Sequence, residues 1–164
     1  MMVDETLRHA VQDLIAREAQ ALDDKNWDAW LGLFTEDVEY WVPAWDSEHV
    51  LTTDPQGEMS LIYYSNRSGL EDRVFRLRTE RSAASVPLPR TCHMTSNVLI
   101  DQGATGIAVK TAWIVHINRS GVLNHFFGRS EYILIKVEDE LKIKSKKTVV
   151  MNDIIPTVMD IYSI

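Results

Sequence analysis

Cysteine is almost absent from this sequence, since Cys92 is the only one in 164 residues. A disulfide within the chain is therefore excluded. An iron–sulfur cluster held by this chain alone is excluded as well, because even the mixed Rieske type takes two thiolates and two imidazoles. The chain by itself is not expected to carry electrons.

Long hydrophobic runs are missing too. No apolar run approaches the ~20 residues that span a bilayer, and the N-terminus, MMVDETLRHAVQDLIAREAQ, lacks the basic start and apolar core of a secretory signal. These absences predict a cytoplasmic protein that does not associate with membranes. Internal repeats, low-complexity tracts and Pro/Gly/Ser-rich linkers are also lacking, so residues 1–164 are predicted to form a single domain.

Positive charge is scarce overall, with 17 Lys and Arg against 24 Asp and Glu and a formal net charge of −7. This balance argues against a general nucleic-acid binder, because phosphate contacts need a basic surface. Residues 65–82, SNRSGLEDRVFRLRTERS, depart from it: they hold five of the ten arginines and three carboxylates, a local charge of +2. This stretch needs a local explanation.

The first half of the chain predicts helices followed by a strand. Apolar residues recur at helical spacing from Thr6 to Leu22, and a short helix follows in NWDAWLGLF with Asn26 as its cap. The segment DVEYWVP then alternates as a half-buried strand and ends at Pro43. Residues 44–58 show no period and predict a long surface excursion, which the brief apolar run MSLIYY follows.

The second half contains four β-rich runs separated by short polar turns, at approximately residues 90–100, 105–118, 122–137 and 141–151. They predict an antiparallel sheet. A two-residue turn at Ser120–Gly121 would place His116 opposite His125 and Trp113 opposite Gly128. Helices that precede a meandering sheet with one strongly apolar face indicate an α+β domain. We expect the helices to cover the concave side of a curved sheet, which gives a cone or half-barrel.

The arginine-rich stretch predicts a helix from about Gly69 to Arg81, which a capping box of Ser68 with Glu71 opens. Its apolar stripe, at helical spacing, should meet the sheet and consists of Leu70, Val74 and Leu77. Ion pairs four residues apart are predicted on its charged side, namely Asp72–Arg76 and Arg76–Glu80.

Phe75 lies off the apolar stripe of this helix, next to Arg78. An exposed aromatic ring beside arginine is typical of interface hot spots, whereas the alternative is that another loop of the same chain covers Phe75. A basic patch on an acidic chain favours docking to an acidic surface, on another copy or on another protein. The candidates for subunit contacts are Arg73, Phe75, Arg76, Arg78, Arg81 and, in the excursion at 44–58, Trp45.

Residue patterns for metal binding or nucleophilic catalysis are weak. Cys92 and His93 adjoin on a predicted strand, so their side chains point to opposite faces, and a structural role is favoured for both. His116 and His125 would supply only two imidazoles, whereas a metal site needs three or four ligands. A stacked or hydrogen-bonded structural pair is therefore favoured for these two histidines.

The candidate catalytic group combines Asp37 and Tyr40, near the mouth of the first strand, with His93 and His116 if both histidines face inward. In a cone-shaped domain, such side chains can move protons in an enclosed pocket. The alternative is that Asp37, with Glu39, faces water at a helix–strand junction. The corresponding functional hypothesis is a free-standing cone-fold isomerase or dehydratase that uses Asp37 or His93.

Two long runs, NWDAWLGLFTEDVEYWVPAWDSEHV and DPQGEMSLIYYSNRSGLEDRVFRLRTERSA, resemble the small (β) subunit of aromatic-ring-hydroxylating dioxygenases. The likeness is greatest to the benzoate and anthranilate 1,2-dioxygenase branch. It extends from the first helix through PRTCHMTSNV to the closing MNDIIPTVMDIYSI. This resemblance implies a cone-shaped α+β fold of the cystatin-like superfold, shared with ketosteroid isomerase and scytalone dehydratase.

The resemblance also implies partners. The β subunit of this family assembles with a larger catalytic α subunit, typically as an α3β3 hexamer, so self-association as a trimer is expected. The α subunit holds a Rieske [2Fe–2S] cluster and a mononuclear Fe(II), and electrons come from NADH through a reductase. The holoenzyme adds both atoms of O2 to an aromatic carboxylate in aromatic catabolism. A mainly structural role is implied for this chain, with no catalytic residue, metal or cofactor of its own.

Overall fold

The computed structural model describes residues 2–79 and 86–164, in which two helices are followed by four strands, a third helix and the four strands of the meander. The helices are α1 (Glu5–Asp23), α2 (Trp27–Leu31) and α3 (Arg67–Arg78). The strands are β1 (Phe34–Pro43), β2 (Trp45–Ser47), β3 (Val50–Leu51), β4 (Ser60–Tyr64), β5 (Arg90–Gln102), β6 (Ile107–Arg119), β7 (Val122–Val137) and β8 (Glu140–Val150). A short 3₁₀ helix, Ile161–Ser163, lies near the C-terminus.

Side-chain caps begin the first two helices, at Asp4 and at the predicted Asn26. The carboxylate of Asp4 accepts the backbone N–H of Leu7 at 2.7 Å, and the amide oxygen of Asn26 accepts that of Ala29 at 3.3 Å. Each cap supplies a partner for a backbone N–H that the first helical turn leaves unbonded.

Six strands form the main sheet in the order β4-β1-β8-β7-β6-β5. The meander β5 to β8 is antiparallel as predicted, but β1 runs parallel to β8, so the sheet is not antiparallel throughout. The reason is topological: most of the chain separates β1 from β8, and a hairpin, which would impose opposite directions, does not join them. No local pattern in the sequence records that pairing.

The hairpin between β6 and β7 has the predicted register. Ser120 and Gly121 both adopt positive φ, 52° and 81°, as a two-residue turn of the primed type requires. His116 therefore pairs with His125, and Trp113 pairs with Gly128.

Residues 44–58 are more ordered than the predicted irregular excursion, because β2 and β3 pair there as a second, two-stranded sheet. Thr52 stabilises the ends of this hairpin through hydrogen bonds to Ala44 and Met59. Its backbone N–H donates to the carbonyl of Ala44 at 2.9 Å, and its hydroxyl donates to that of Met59 at 3.0 Å. A buried hydroxyl, rather than a regular spacing of hydrophobic residues, thus stabilises these two strands. For that reason the hydrophobic pattern of residues 44–58 did not predict them.

The helices cover one face of a curved sheet. One continuous hydrophobic core lies between them, and its largest fully buried side chains are Trp30, Tyr40, Phe34, Phe126, Leu22, Leu70 and Leu134. The C-terminal segment also enters this space, since Ile161, Tyr162 and Ile164 are each at most 3% exposed. Among the helices of the described ranges, none combines the length and apolar character needed to cross a membrane.

Candidate assembly surface and polar interior

The basic helix α3 begins earlier than its sequence signal indicated. Asn66, rather than Ser68, is the N-cap, and its side-chain oxygen accepts the backbone N–H of Ser68 at 3.0 Å. Glu71 pairs with Arg67 one turn away, at 3.0 Å, and so does not form the predicted capping box. The apolar stripe is correct: Leu70, Val74 and Leu77 are buried. The helix ends at Arg78 instead of Arg81, and Arg81 lies outside the described residues.

The arginines of α3 mostly tie this helix to the rest of the chain. Arg73 forms a two-contact pair with Asp160 of the C-terminal segment, with Nε 2.9 Å from Oδ1. Arg78 contacts Asp28 of α2 at 2.7 Å. The predicted pair Asp72–Arg76 is absent among the ion pairs of residues 2–79 and 86–164, and Glu80, the other predicted partner, lies outside those ranges. The basic stretch is thus largely a structural brace.

One side of α3 remains exposed and combines Phe75, Arg76 and Arg78, which we call the α3 face. Phe75 is 54% exposed and lies beside two arginines, a composition that is typical of interface hot spots. Trp45, the other aromatic candidate, is 40% exposed, and its indole N–H donates to the carbonyl of Val150 at 2.8 Å. Trp45 is therefore anchored at its polar edge while part of its ring faces outward.

A buried ionic cluster occupies the interior between α1 and the sheet. Its centre is Glu18 of α1, which accepts hydrogen bonds from the ammonium of Lys146 and the hydroxyl of Tyr132, both at 2.9 Å. The indole N–H of Trp30 lies 3.4 Å from the same carboxylate. Glu18 and Lys146 are only 2% and 4% exposed, so the two charges compensate each other away from bulk solvent.

This cluster was not predicted from the sequence, although the sequence contains a signal for it. Glu18 occupies a core position of the amphipathic helix, four residues after Leu14 and four before Leu22. Along β8, Lys146 lies on the same buried face as Thr148, two residues later. Ile143 is buried on that face as well, because the pairing register shifts next to it. A carboxylate and an ammonium, each at a core position, predict a buried pair.

Burial raises the pKa of the Tyr40 and Tyr132 hydroxyls well above the ordinary value for tyrosine, and the negative charge of Glu18 raises both further. Tyr40 and Tyr132 therefore stay protonated across the physiological range. Lys146 Nζ lies 5.8 Å from the centre of the Tyr40 ring and 5.5 Å from that of Tyr132, within reach of cation–π attraction. The hydroxyl of Tyr40 has no hydrogen-bond partner among the described residues.

His93 pairs with Asp23 at the end of α1. Its Nδ1 lies 2.5 Å from Oδ1 of Asp23, and its backbone N–H donates to Oδ2 at 3.0 Å. The Thr91 hydroxyl donates to the same carboxylate at 2.9 Å. Partial burial by itself would raise the pKa of Asp23, but the hydrogen bonds from His93 outweigh burial and hold this pKa below its ordinary value. The other ring nitrogen of His93 lies 3.3 Å from a backbone oxygen of Ile164.

One small cavity lies beside the Glu18 cluster. A cavity of about 20 Å³ lies among Ile15, Glu18, Ala19, Leu22, His93, Thr95, Trp113, Ser130, Tyr132, Lys146 and Ile164. One water molecule needs roughly 10–15 Å³ by this type of measure, whereas pockets for small organic ligands run to several hundred Å³. The cavity therefore has room for a water molecule but not for an aromatic substrate.

The candidate catalytic residues do not meet in one pocket. Asp37 is exposed, and the pKa of its carboxyl lies below the ordinary value because Lys144, 2.8 Å away, and Thr35 donate hydrogen bonds to it. His116 lies on the outer face of the sheet, where its ring is edge-to-face with that of His125 at 6.0 Å. Only Tyr40 and His93 face the interior. The alternative in which Asp37 faces water is the one that the structure supports.

The alternation predicted for Cys92 and His93 is present, since Cys92 is exposed and the His93 side chain is 8% exposed. The described part of the chain contains no cluster of three or more His, Cys, Asp or Glu side chains placed to hold a metal ion. The described residues therefore do not fit either iron centre, both of which the family resemblance assigns to the α subunit.

Comparison with known protein families gives a consistent match. Residues 17–157 match the family model described as the ring hydroxylating beta subunit. The chain is 44% identical over 156 residues to the toluate 1,2-dioxygenase subunit beta of Pseudomonas putida, covering 94% of this chain and 96% of that protein. It is 43% identical to the 2-halobenzoate 1,2-dioxygenase small subunit of Burkholderia cepacia, covering 97% and 99% of the two chains.

Solved structures agree with these sequence matches. The beta subunit of the benzoate 1,2-dioxygenase from Burkholderia mallei superposes with a TM-score of 0.80 at 39% identity, covering 100% of this chain and 99% of that one. A proposed scytalone dehydratase from Novosphingobium aromaticivorans superposes with a TM-score of 0.69 at 14% identity, covering 95% and 93%. The second likeness concerns the fold alone and confirms the predicted relation to scytalone dehydratase-like cones.

Proposed function

Because this chain belongs to the ring-hydroxylating β-subunit family, we propose that it is the structural, non-catalytic β subunit of a multicomponent aromatic-ring-hydroxylating dioxygenase. The observation that carries the proposal is the match of more than 40% identity over nearly the whole of two dioxygenase small subunits. Those two relatives are named for toluate and halobenzoate, which are both aromatic carboxylates. An aromatic carboxylate such as benzoate or anthranilate is therefore the proposed substrate class of the complete enzyme.

The packing around the candidate residues supports a structural role for the chain itself. The cavity of about 20 Å³ beside the Glu18 cluster is too small for an aromatic acid. The larger cleft of about 470 Å³ between α1 and β5 is lined by His93 but by neither Asp37, Tyr40 nor His116. The alternative of a free-standing isomerase or dehydratase is disfavoured, because Asp37 lies outside and His93 is held between Asp23 and Ile164. Binding of substrate and chemistry then fall to another subunit.

The proposed partner is a larger catalytic α subunit that carries the Rieske [2Fe–2S] cluster and the mononuclear iron, and that receives electrons from NADH through a reductase. We place the assembly in the cytoplasm, with three copies of each subunit. The α3 face is the proposed contact for the α subunit, because it offers an exposed aromatic ring between arginines on an acidic chain. Trp45, whose ring is part exposed, is a second proposed contact.

The test is to produce the chain alone and together with the large iron-containing subunit of its oxygenase. Alone, it should contain no iron and should neither isomerise nor dehydrate model substrates. Together, the two chains should co-purify, and the complex with its reductase should consume O2 and NADH in the presence of benzoate or a related acid. The proposal would be contradicted if this chain did not bind the large subunit, or if the oxygenase assembled and were equally active without this chain.

A further inference from the structure

The indole N–H of Trp113 is buried and has no hydrogen-bond partner among the described residues. In contrast, the indole N–H groups of Trp30, Trp41 and Trp45 each donate to an oxygen of the chain. A buried N–H without an acceptor destabilises the folded state, and most such groups in native proteins bond either to protein or to ordered water. Trp113 also lines the cavity of about 20 Å³ beside the Glu18 cluster. An acceptor in this cavity would supply the bond that the chain does not.

Other polar groups of the cavity wall have hydrogen-bonding capacity that the described residues do not fill. The ammonium of Lys146 has three N–H groups, and one of them donates to Oε2 of Glu18 at 2.9 Å. Oε1 of Glu18 accepts one hydrogen bond, from Tyr132 at 2.9 Å, although a carboxylate oxygen can accept two. Ser130 lines the cavity as well, and its hydroxyl lies 3.4 Å from Thr148 Oγ1, a long distance for a hydrogen bond. Donors and acceptors therefore surround the same space.

The volume and the chemistry of the cavity match a single water molecule. One water needs roughly 10–15 Å³ by this type of measure, and cavities that stay dry are apolar, whereas Glu18 and Lys146 form part of this wall. A metal cation would face the N–H groups of Trp113 and Lys146, and an anion would face the Glu18 carboxylate. A neutral molecule that both accepts and donates hydrogen bonds satisfies the two sides together.

We propose that this cavity is a binding site for one water molecule, which accepts N–H groups of Trp113 and Lys146 and donates to Oε1 of Glu18 and to the hydroxyl of Ser130. The water completes the Glu18 cluster. Burying two charges is costly unless further hydrogen bonds satisfy them, and a bridging water supplies such bonds to both charges at once. The buried pair is thus stabilised as a hydrated ion pair.

The site has a short route to solvent. The cavity shares part of its wall with the cleft of about 470 Å³ between α1 and β5, namely Ile15, Ala19, His93 and Thr95. His93 is held between Asp23 and Ile164, whereas Thr95 is exposed. A local movement at Thr95 would admit water from the cleft, so the bound molecule should exchange with solvent while the chain stays folded.

The direct test is on the wild-type chain. A crystal structure that shows ordered solvent should contain one water within hydrogen-bond distance of Trp113 Nε1 and Glu18 Oε1. In solution, NMR should show magnetisation transfer from water to the Trp113 indole proton, with opposite signs in NOE and ROE spectra, which separates a bound water from proton exchange. The Trp30 indole, which is also buried but does not line the cavity, is the internal control and should show weaker transfer.

A matched pair of variants tests what the water contributes. Ser130→Val and Ser130→Ala both remove the hydroxyl, but the methyl groups of valine would occupy the cavity and displace the water, whereas alanine leaves room for it. The equilibrium constant for unfolding should be at least about tenfold larger for Ser130→Val, because the Trp113 N–H then has no acceptor. A dry cavity predicts the reverse order, since valine would fill it and is also the better strand former.

Three results would overturn the inference: wild-type density without a water in the cavity, transfer to Trp113 no stronger than to Trp30, or a Ser130→Val chain at least as stable as Ser130→Ala. If Ser130→Val does not fold, the two measurements on the wild type decide. None of these experiments involves the large subunit. A negative result therefore leaves the proposed function standing, and failure to bind the large subunit leaves this site standing.

Discussion

The guanidinium of Arg73 grips the carboxylate of Asp160 through two contacts, and this pair joins the middle of α3 to the C-terminal segment. Asp160 also accepts the backbone N–H of Ile161 at 2.8 Å and so begins the 3₁₀ helix that enters the core. Arg73, which its charge suggested as a subunit contact, therefore stabilises the packing of the C-terminal segment within this chain.

Replacing Arg73 should destabilise the fold. Arg73→Ala leaves Asp160, whose side chain is 5% exposed, without its cation, and the expected loss is about 2–3 kcal/mol in the free energy of unfolding. Arg76→Ala, on the exposed side of the same helix, is the matched control and should change that energy by less than about 0.5 kcal/mol. Urea unfolding measures both, and similar losses in the two variants would show that Arg73 is not a special tie.

The Glu18–Lys146 pair allows a test of buried charge. Lys146→Met should cost about 3–5 kcal/mol in the free energy of unfolding, because it leaves the Glu18 carboxylate buried without a cation. The double variant Glu18→Gln/Lys146→Met should be more stable than Lys146→Met alone, since it leaves no uncompensated charge in the interior and the amide oxygen still accepts the hydrogen bond of the Tyr132 hydroxyl. Chemical denaturation of the three proteins checks this order, and a double variant less stable than the single one would contradict it.

The Asp23–His93 pair predicts a pH dependence of stability with a definite sign. The pKa of Asp23 is lower in the folded chain than in the unfolded chain, so its contribution is full above the ordinary value of about 4 and is lost as the pH falls through the folded value. The stability difference between wild type and Asp23→Asn should therefore shrink between about pH 5 and pH 3. Urea unfolding at several pH values measures this difference, and a constant difference over the range would exclude the linkage.

Gly128 should not tolerate a side chain. A Cβ there would lie 1.8 Å from the carbonyl oxygen of Val149 and 3.3 Å from the Trp113 ring, so Gly128→Ala should lower the free energy of unfolding by at least about 2 kcal/mol. Gly32→Ala is the control, because φ at Gly32 is −65° and its nearest contact would be 3.4 Å. Thermal unfolding of the two variants compares their stability losses. A loss for Gly128→Ala no larger than that for Gly32→Ala would mean that β7 and β8 move apart at little cost.

The α3 face predicts a loss of assembly without a loss of folding. Phe75→Ala with Arg78→Glu removes an exposed ring and reverses one charge, and the Arg78–Asp28 pair that it breaks is exposed, worth at most about 1 kcal/mol. Co-purification with the large subunit should weaken while the unfolding transition stays cooperative. If the double variant unfolds instead, Phe75 belongs to the core of this chain.

The sequence predicted relationships between residues close together in the chain better than those between residues far apart. The apolar stripe of α3, the turn at Ser120–Gly121 and the pairing of His116 with His125 follow from spacing along neighbouring residues, and the structure confirms each. The family followed from long runs of matching residues. The parallel pairing of β1 with β8 and the hairpin held by Thr52 did not follow, because partners distant in the chain, or a single buried hydroxyl, decide them.

By itself, therefore, the sequence determined the amphipathic helices, the meander and its register, and the absence of thiolates for an iron–sulfur cluster, since side-chain periodicity, turn chemistry and composition are local properties. Only the tertiary structure decided what the charged residues do. It joined Arg73 to Asp160, 87 positions away, buried Glu18 with Lys146, and placed Asp37 outside the cone while His93 faced inward. Charge acts through space, and the spatial neighbours of a residue depend on how the whole chain packs.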